Sequence, residues 1–149
     1  MRWIHAAPQR GRVPENRTVP DGHLLISVDG TGHHSSQKVR CRTCCVRRSH
    51  DGTETCYHQV SGAAVVHPDM KEVFPPAPVR RMDGPAGNDC GRNAAGRFTE
   101  DLRREHPHTR AVIVEDGPAS NGRHISLLKE KGFRFIPGAE PADHGLLFR

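Results

Sequence analysis

Two short apolar runs constrain this chain more than any other feature. Leu24-Leu25-Ile26-Ser27-Val28-Asp29-Gly30-Thr31 and, far downstream, Ala111-Val112-Ile113-Val114-Glu115-Asp116-Gly117 are rich in β-branched residues, and both run into Asp-Gly. Each reads as a largely buried strand. A strand that delivers an aspartate to its own end holds that carboxylate rigidly at a sheet edge. Two such strands in one small domain suggest two carboxylates brought together on a divalent cation.

The remaining residues offer few other places for a core. Of 149 residues, 34% are hydrophobic and 26% charged, and mean hydropathy is −0.67. The apolar residues must therefore be concentrated in a handful of elements of one domain. The net charge of +5 favours a polyanionic partner, of which nucleic acid is the commonest. The alternative is a solvated surface with an ordinary basic bias. No run approaches the ~18 apolar residues of a membrane span. Pro8, Pro14 and Pro20 break the N-terminal stretch where a signal peptide would lie. The chain thus reads as cytoplasmic, with no membrane partner. Five cysteines cannot form a complete disulfide framework, so free thiols or metal ligation are expected.

Residues 1–22 are basic and proline-rich and read as a disordered or irregular leader; residues 23–149 read as one domain. The first strand is predicted from Leu24 to Asp29. Residues 31–54 form a polar, cysteine-containing excursion. A second strand is predicted over Thr55–Val66, where Gly62 can mark a bend or bulge. A third, Lys71–Phe74, is ended by Pro75 and Pro76. Asn88 or Asp89 can cap a helix reaching about His106, with Ala94, Phe98 and Leu102 recurring on one face. The fourth strand is Arg110–Asp116. Ser120 or Asn121 can cap a second helix through Lys131, with Ile125 and Leu128 inward and Gly132 as C-cap. Phe133–Ile136 is the fifth strand. The order β-β-β-α-β-α-β predicts an α/β fold: an antiparallel meander followed by two strands reached by helical crossovers, hence parallel.

This order, with aspartates on strands one and four, resembles the ribonuclease-H-like fold of DDE transposases and integrases. The segments Val28-Asp29-Gly30-Thr31, Tyr57-His58-Gln59, Val65-Val66-His67-Pro68-Asp69, Asn88-Asp89-Cys90, Arg92-Asn93-Ala94-Ala95, Glu105-His106-Pro107-His108, Val114-Glu115-Asp116-Gly117 and Ala119-Ser120-Asn121 together resemble the catalytic domain of bacterial insertion-sequence transposases, over roughly residues 24–148. The resemblance implies a mixed five-stranded sheet with flanking helices. It also implies DNA transposition by Mg²⁺- or Mn²⁺-dependent phosphodiester cleavage and strand transfer, with transposon ends and target DNA as partners and a homodimer in a complete parent enzyme. Enzymes of this class hold two Mg²⁺ ions on three acids: one ion activates the attacking oxygen and the other stabilises the leaving oxygen. By position, Asp29 matches the first acid and Asp116 the second. Glu115 should point to the opposite face of its strand.

The sequence departs from the family in places. The family's third acid lies on a helix after strand five, and the chain ends before one can form. Glu140 and Glu130 are the nearest glutamates, Glu130 on the wrong element, and Asp143 and His144 lie in the tail. Gly91 stands where the family pattern expects a glutamate, and Pro118 and Ala142 also depart. The expectation is a C-terminally truncated, partial catalytic domain, a fragment or decayed copy that does not cut DNA alone.

Other residues carry competing readings. Cys41-x-x-Cys44, with Cys45, His50, Cys56 and His58 nearby, can bind Zn²⁺; the alternative is free thiols in a polar loop. Arg47-Arg48 can contact DNA phosphates, whereas Arg103-Arg104, beside Glu100, Asp101 and Glu105, read as a solvated helix face. His33-His34, His106 and His108 read as surface loop histidines. Asp89 reads as a helix cap. A second overall reading is a small basic zinc- or nucleic-acid-binding protein without catalysis, in which Asp29 and Asp116 merely end strands. The two readings differ on one geometric point: in the first, strands one and four must be neighbours.

Overall fold

Strand β1, Leu24–Ser36, is the element around which the others are arranged in the computed structural model, which describes residues 17–42, 44–74, 79–80, 91–141 and 145. After β1 come β2 (Cys45–Arg48), β3 (Glu54–His67), β4 (Met70–Phe74) and β5 (Val79–Arg80). Helix α1 (Gly91–Glu105), β6 (Ala111–Glu115), α2 (Gly122–Glu130) and β7 (Arg134–Pro137) complete the order. The result is an α/β fold: one mixed sheet, with strands ordered β2-β3-β1-β6-β7 and with β4 and β5 also paired to β3.

The first strand does not end at Asp29. It continues to Ser36, because β3 supplies an antiparallel partner along nearly its whole length, from Leu25↔Val66 to Ser36↔Cys56. Asp-Gly is a local turn signal, but the ladder that pairs Asp29 and Gly30 with Gly62 and Ser61 of β3 outweighs it. The bulge expected at Gly62 lies instead on β1, where the register shifts between Gly32 and His34. Residues 31–54 are accordingly less an excursion than the second half of β1, a return loop and β2. Strand β2 pairs β3 from Cys45↔Tyr57 to Arg48↔Glu54.

On its other edge β1 pairs β6 in parallel, Leu24↔Ala111 through Ser27↔Val114, and β6 pairs β7 in parallel. Both helices precede parallel strands, as a crossover requires. Ala94, Phe98 and Leu102 are buried along one side of α1. The expected cap at Asn88 or Asp89 lies outside the described residues. Helix α2 is capped by Asn121, whose Oδ1 accepts from the His124 N–H at 3.1 Å. It stops at Gly132, which takes φ +69°, a left-handed conformation that closes the last turn through Phe133 N–H to Leu128 C=O at 3.0 Å.

The two faces of the sheet differ. Ile26, Val28, Ala63, Ala111 and Ile113 pack against Phe98 and Leu102 of α1, Leu128 of α2, and Phe133. Alternation sends Leu25, Ser27 and Asp29 of β1, Val112 and Val114 of β6, and Ile136 of β7 to the opposite face. Ile136 is 57% exposed there. Among the described residues no helix is long and apolar enough to cross a membrane.

The end of the expected leader is laid against the sheet. The guanidinium of Arg17 stacks over Phe74 at 4.5 Å and donates to the Glu72 carbonyl at 3.2 Å. Asp21 pairs with Arg134 at 3.0 Å, which holds its carboxyl below the usual range. Arg103, expected on a solvated face, is a clamp. It donates to the carbonyls of Lys131 (2.8 Å), Pro107 (2.9 Å) and Thr109 (3.1 Å) and lies 4.0 Å over the Phe133 ring. One side chain thereby ties α1 to the end of α2 and to the turn entering β6. Charged donors to carbonyls contribute about 1.5–3 kcal/mol each when isolated, so Arg103→Ala is expected to cost ~2–4 kcal/mol in urea unfolding. Arg103→Lys should recover less than half, because an ammonium lacks the planar fork.

Candidate active site

Strands β1 and β6 part company just where both aspartates lie. Their ladder closes at Ser27↔Val114. Asp29 lies two residues beyond that last pair on β1, and Asp116 two residues beyond it on the other chain segment, just past the end of β6, so the two flank the opening. Both aspartates are exposed, and both alternate away from the helices. Asp29 accepts a hydrogen bond from the Gly30 N–H through Oδ1 at 2.6 Å. Asp116 keeps the extended backbone of β6, with φ −79° and ψ 179°, and opens the 3₁₀ turn Gly117–Ala119. Its carbonyl accepts from Ala119 N–H at 3.1 Å. Two exposed carboxylates on one face are hard oxygen ligands, suited to Mg²⁺ or Mn²⁺.

Glu115 takes the other face, as alternation requires. Its Oε2 lies 2.6 Å from His124 Nε2, and both side chains are 4% exposed. Among the described residues, Glu115 Oε1 and His124 Nδ1 are buried with no hydrogen-bond partner. The pair ties the end of β6 to α2 directly beneath Asp116. His124 was not singled out by the sequence reading, which expected Ile125 inward at this level; the helix instead turns His124 and Leu128 to the sheet.

A third carboxylate is brought to the same corner. After β7, Gly138 donates to the Glu115 carbonyl at 2.7 Å. A Cβ at Gly138 would stand 3.2 Å from the Gly117 nitrogen, and one at Gly117 would stand 2.9 Å from Glu140 Cγ. This close approach lays the Glu140 side chain over Gly117, next to Asp116. The paired glycines 117 and 138 were the signal available for it. As the side chains stand, no three His, Cys, Asp or Glu among the described residues form a group that could hold a metal ion.

The remaining sequence candidates lie elsewhere. Arg47 and Arg48 are on β2. Arg47 stacks over Tyr57 at 5.5 Å, and Arg48 pairs with Glu54 at 2.7 Å. Cys41 and Cys44 are in the loop between β1 and β2. The Cys41 Sγ lies 3.2 Å from His58 Nε2 on β3. His50 sits at the exposed β2–β3 turn, while Gly91, Pro118 and the tail offer no described side chain apart from Pro141. No protein-family model, no curated protein and no solved structure matches this chain.

The buried Glu115–His124 pair should behave as a unit. His124→Ala strands a buried carboxylate and is expected to cost ~3–5 kcal/mol, whereas Glu115→Met with His124→Leu should cost less than either single change. A double-mutant cycle by chemical denaturation measures this.

Proposed function

We propose that this chain is catalytic-domain material of a DDE-class insertion-sequence transposase, built on a ribonuclease-H-like sheet and acting on DNA. The observation that supports the reading is the parallel β1–β6 ladder, which closes at Ser27↔Val114 with an exposed aspartate two residues further on each side of the opening. The strand order supports it. With β2 and β5 set aside, β4-β3-β1 is an antiparallel meander, and β6 and β7 continue in parallel beyond β1, each preceded by a helix. The net charge of +5 suits a phosphodiester polyanion.

In this reading Asp29 and Asp116 hold Mg²⁺ or Mn²⁺. When bound, such an ion would supply Lewis acidity for the attacking water or hydroxyl and charge neutralisation at the phosphate. The protein's own part is rigidity. Asp29 is held by its ladder with β3, and Asp116 directly follows β6, whose last residue is anchored by the Glu115–His124 pair. Two carboxylates supply only part of a two-ion site, so these 149 residues are proposed to bind metal ion without completing strand transfer.

The test is paramagnetic broadening by Mn²⁺ of backbone amide signals. Broadening is expected at residues 28–31 and 115–117, and Asp29→Asn or Asp116→Asn should abolish it with the fold intact. Broadening that ignores both substitutions would exclude a shared ion site. Plasmid incubated with the chain and Mg²⁺ should remain uncut, and turnover that depends on Asp29 would overturn the proposed inactivity. A second reading is a non-catalytic basic nucleic-acid-binding protein. The thiol–imidazole contacts of the β2–β3 hairpin favour it, and in that reading neither aspartate substitution changes any binding.

A further inference from the structure

The loop between β1 and β2 is exposed but tied to the β2–β3 hairpin: Arg40 pairs with Glu54 at 2.6 Å, and Arg48 holds the other oxygen of the same carboxylate at 2.7 Å. The two guanidiniums keep the Glu54 carboxyl below its usual range. This double pairing lays the Cys41-x-x-Cys44 turn on one face of β3. Cys56 and His58 are two residues apart on that strand, so their side chains share a face. The register places Cys56 opposite Ser36 and His58 opposite His34 on β1.

Four soft or borderline ligands thus meet in two pairs. Cys41 Sγ is 3.2 Å from His58 Nε2. Cys44 Sγ donates to the Cys41 carbonyl at 3.4 Å and also hydrogen-bonds the Cys56 thiol, a contact that, more than burial, holds that thiol above its ordinary value. Cys56 is only 1% exposed beneath the loop. Cys45 is equally buried but opposes Tyr57 in the ladder, one residue out of phase with Cys56, so it faces the other side of the hairpin. The pattern therefore selects three of the four cysteines of this region rather than all of them.

We propose that Cys41, Cys44, Cys56 and His58 form a tetrahedral Zn²⁺ site that pins the β1–β2 loop to β3. Three thiolates and one imidazole are a structural zinc set, with no position left open for substrate. A turn of two ligands closing over two ligands on a strand is the geometry such sites need. Zn²⁺ displaces the thiol protons that the paired cysteines otherwise share. Side-chain rotation within an existing backbone arrangement converts the two pairs into one group. The site lies away from Asp29 and Asp116 along β1, and it is independent of their role.

The experiment is metal analysis of the full chain purified in reducing buffer with zinc supplied. One zinc per chain is expected. Exchange into Co²⁺ should give the visible bands of a tetrahedral ion with an intense thiolate-to-cobalt charge-transfer band. Cys44→Ser, Cys56→Ser and His58→Ala should each reduce bound zinc at least about tenfold, while Cys45→Ala keeps it. Thiol labelling of the wild-type chain gives a readout that no variant's folding can obscure. A chelator should release three further thiols, mapped by mass spectrometry to Cys41, Cys44 and Cys56. Wild-type protein without zinc, labelling unchanged by chelator, a Cys44–Cys56 disulfide in place of the metal, or loss of zinc in folded Cys45→Ala as complete as in Cys44→Ser would each overturn the proposal.

Discussion

Everything in this fold depends on β1 being paired on both sides and in opposite senses. Its antiparallel ladder with β3 runs from Leu25 to Ser36, and its parallel ladder with β6 covers only Leu24 to Ser27. The short ladder is what makes a corner. Where β6 turns away after Glu115, β1 continues under β3's support, and the sheet opens between them. Residues at that opening are held by backbone hydrogen bonds on one side and reach solvent on the other. A rigid, accessible carboxylate needs that combination, and a strand buried between two full-length neighbours cannot provide it.

The packing on the helical side reinforces the corner. Ile26 and Ile113 are each 1% exposed and lie side by side under the helices. Directly beyond them the helix face carries the Glu115–His124 pair rather than another aliphatic contact. A buried ionisable pair gives less net stability than well-packed hydrocarbon of the same volume. Its effect here is geometric: it fixes the angle at which α2 leaves the sheet, and with it the turn that begins at Asp116. Arg103 acts in the same way at the far end of α2, where one planar group satisfies carbonyls from two different turns. Helix α2 is thus set at both ends by polar contacts laid over an apolar middle.

The candidate sites on the opposite face belong to two regions with different chemistry. Exposed carboxylates flank the β1–β6 opening, and the close approach at Gly117 and Gly138 lays Glu140 over Gly117 beside Asp116. Sulfur and nitrogen ligands gather on the β2–β3 hairpin. Hard cations prefer the first set and zinc the second. Because β1 runs through both regions, the loop pinned at one end and the carboxylate held at the other share a single stiff element.

Much of this was legible in local chemistry. Apolar periodicity in Ala94, Phe98 and Leu102 placed α1, Asn121 and Gly132 bounded α2, and the two Asp-Gly runs pointed to β1 and β6, because each of these signals concerns residues within a few positions of one another. Side-chain alternation also separated Glu115 from Asp116. The length of β1 was not legible, since Asp29-Gly30 has a turn's composition and only the distant β3 ladder overrides it. Nor was the role of Arg103, one of whose acceptors, the Lys131 carbonyl, lies 28 residues away. The same holds for the approach of Cys41 to His58 and of Glu140 to Gly117. The sequence by itself determined which residues are carboxylates, thiols and strand-formers, because composition and short periodicities are local. Only the tertiary structure decided which of them stand level or face one another, because register is set by backbone hydrogen bonds between segments the sequence keeps apart.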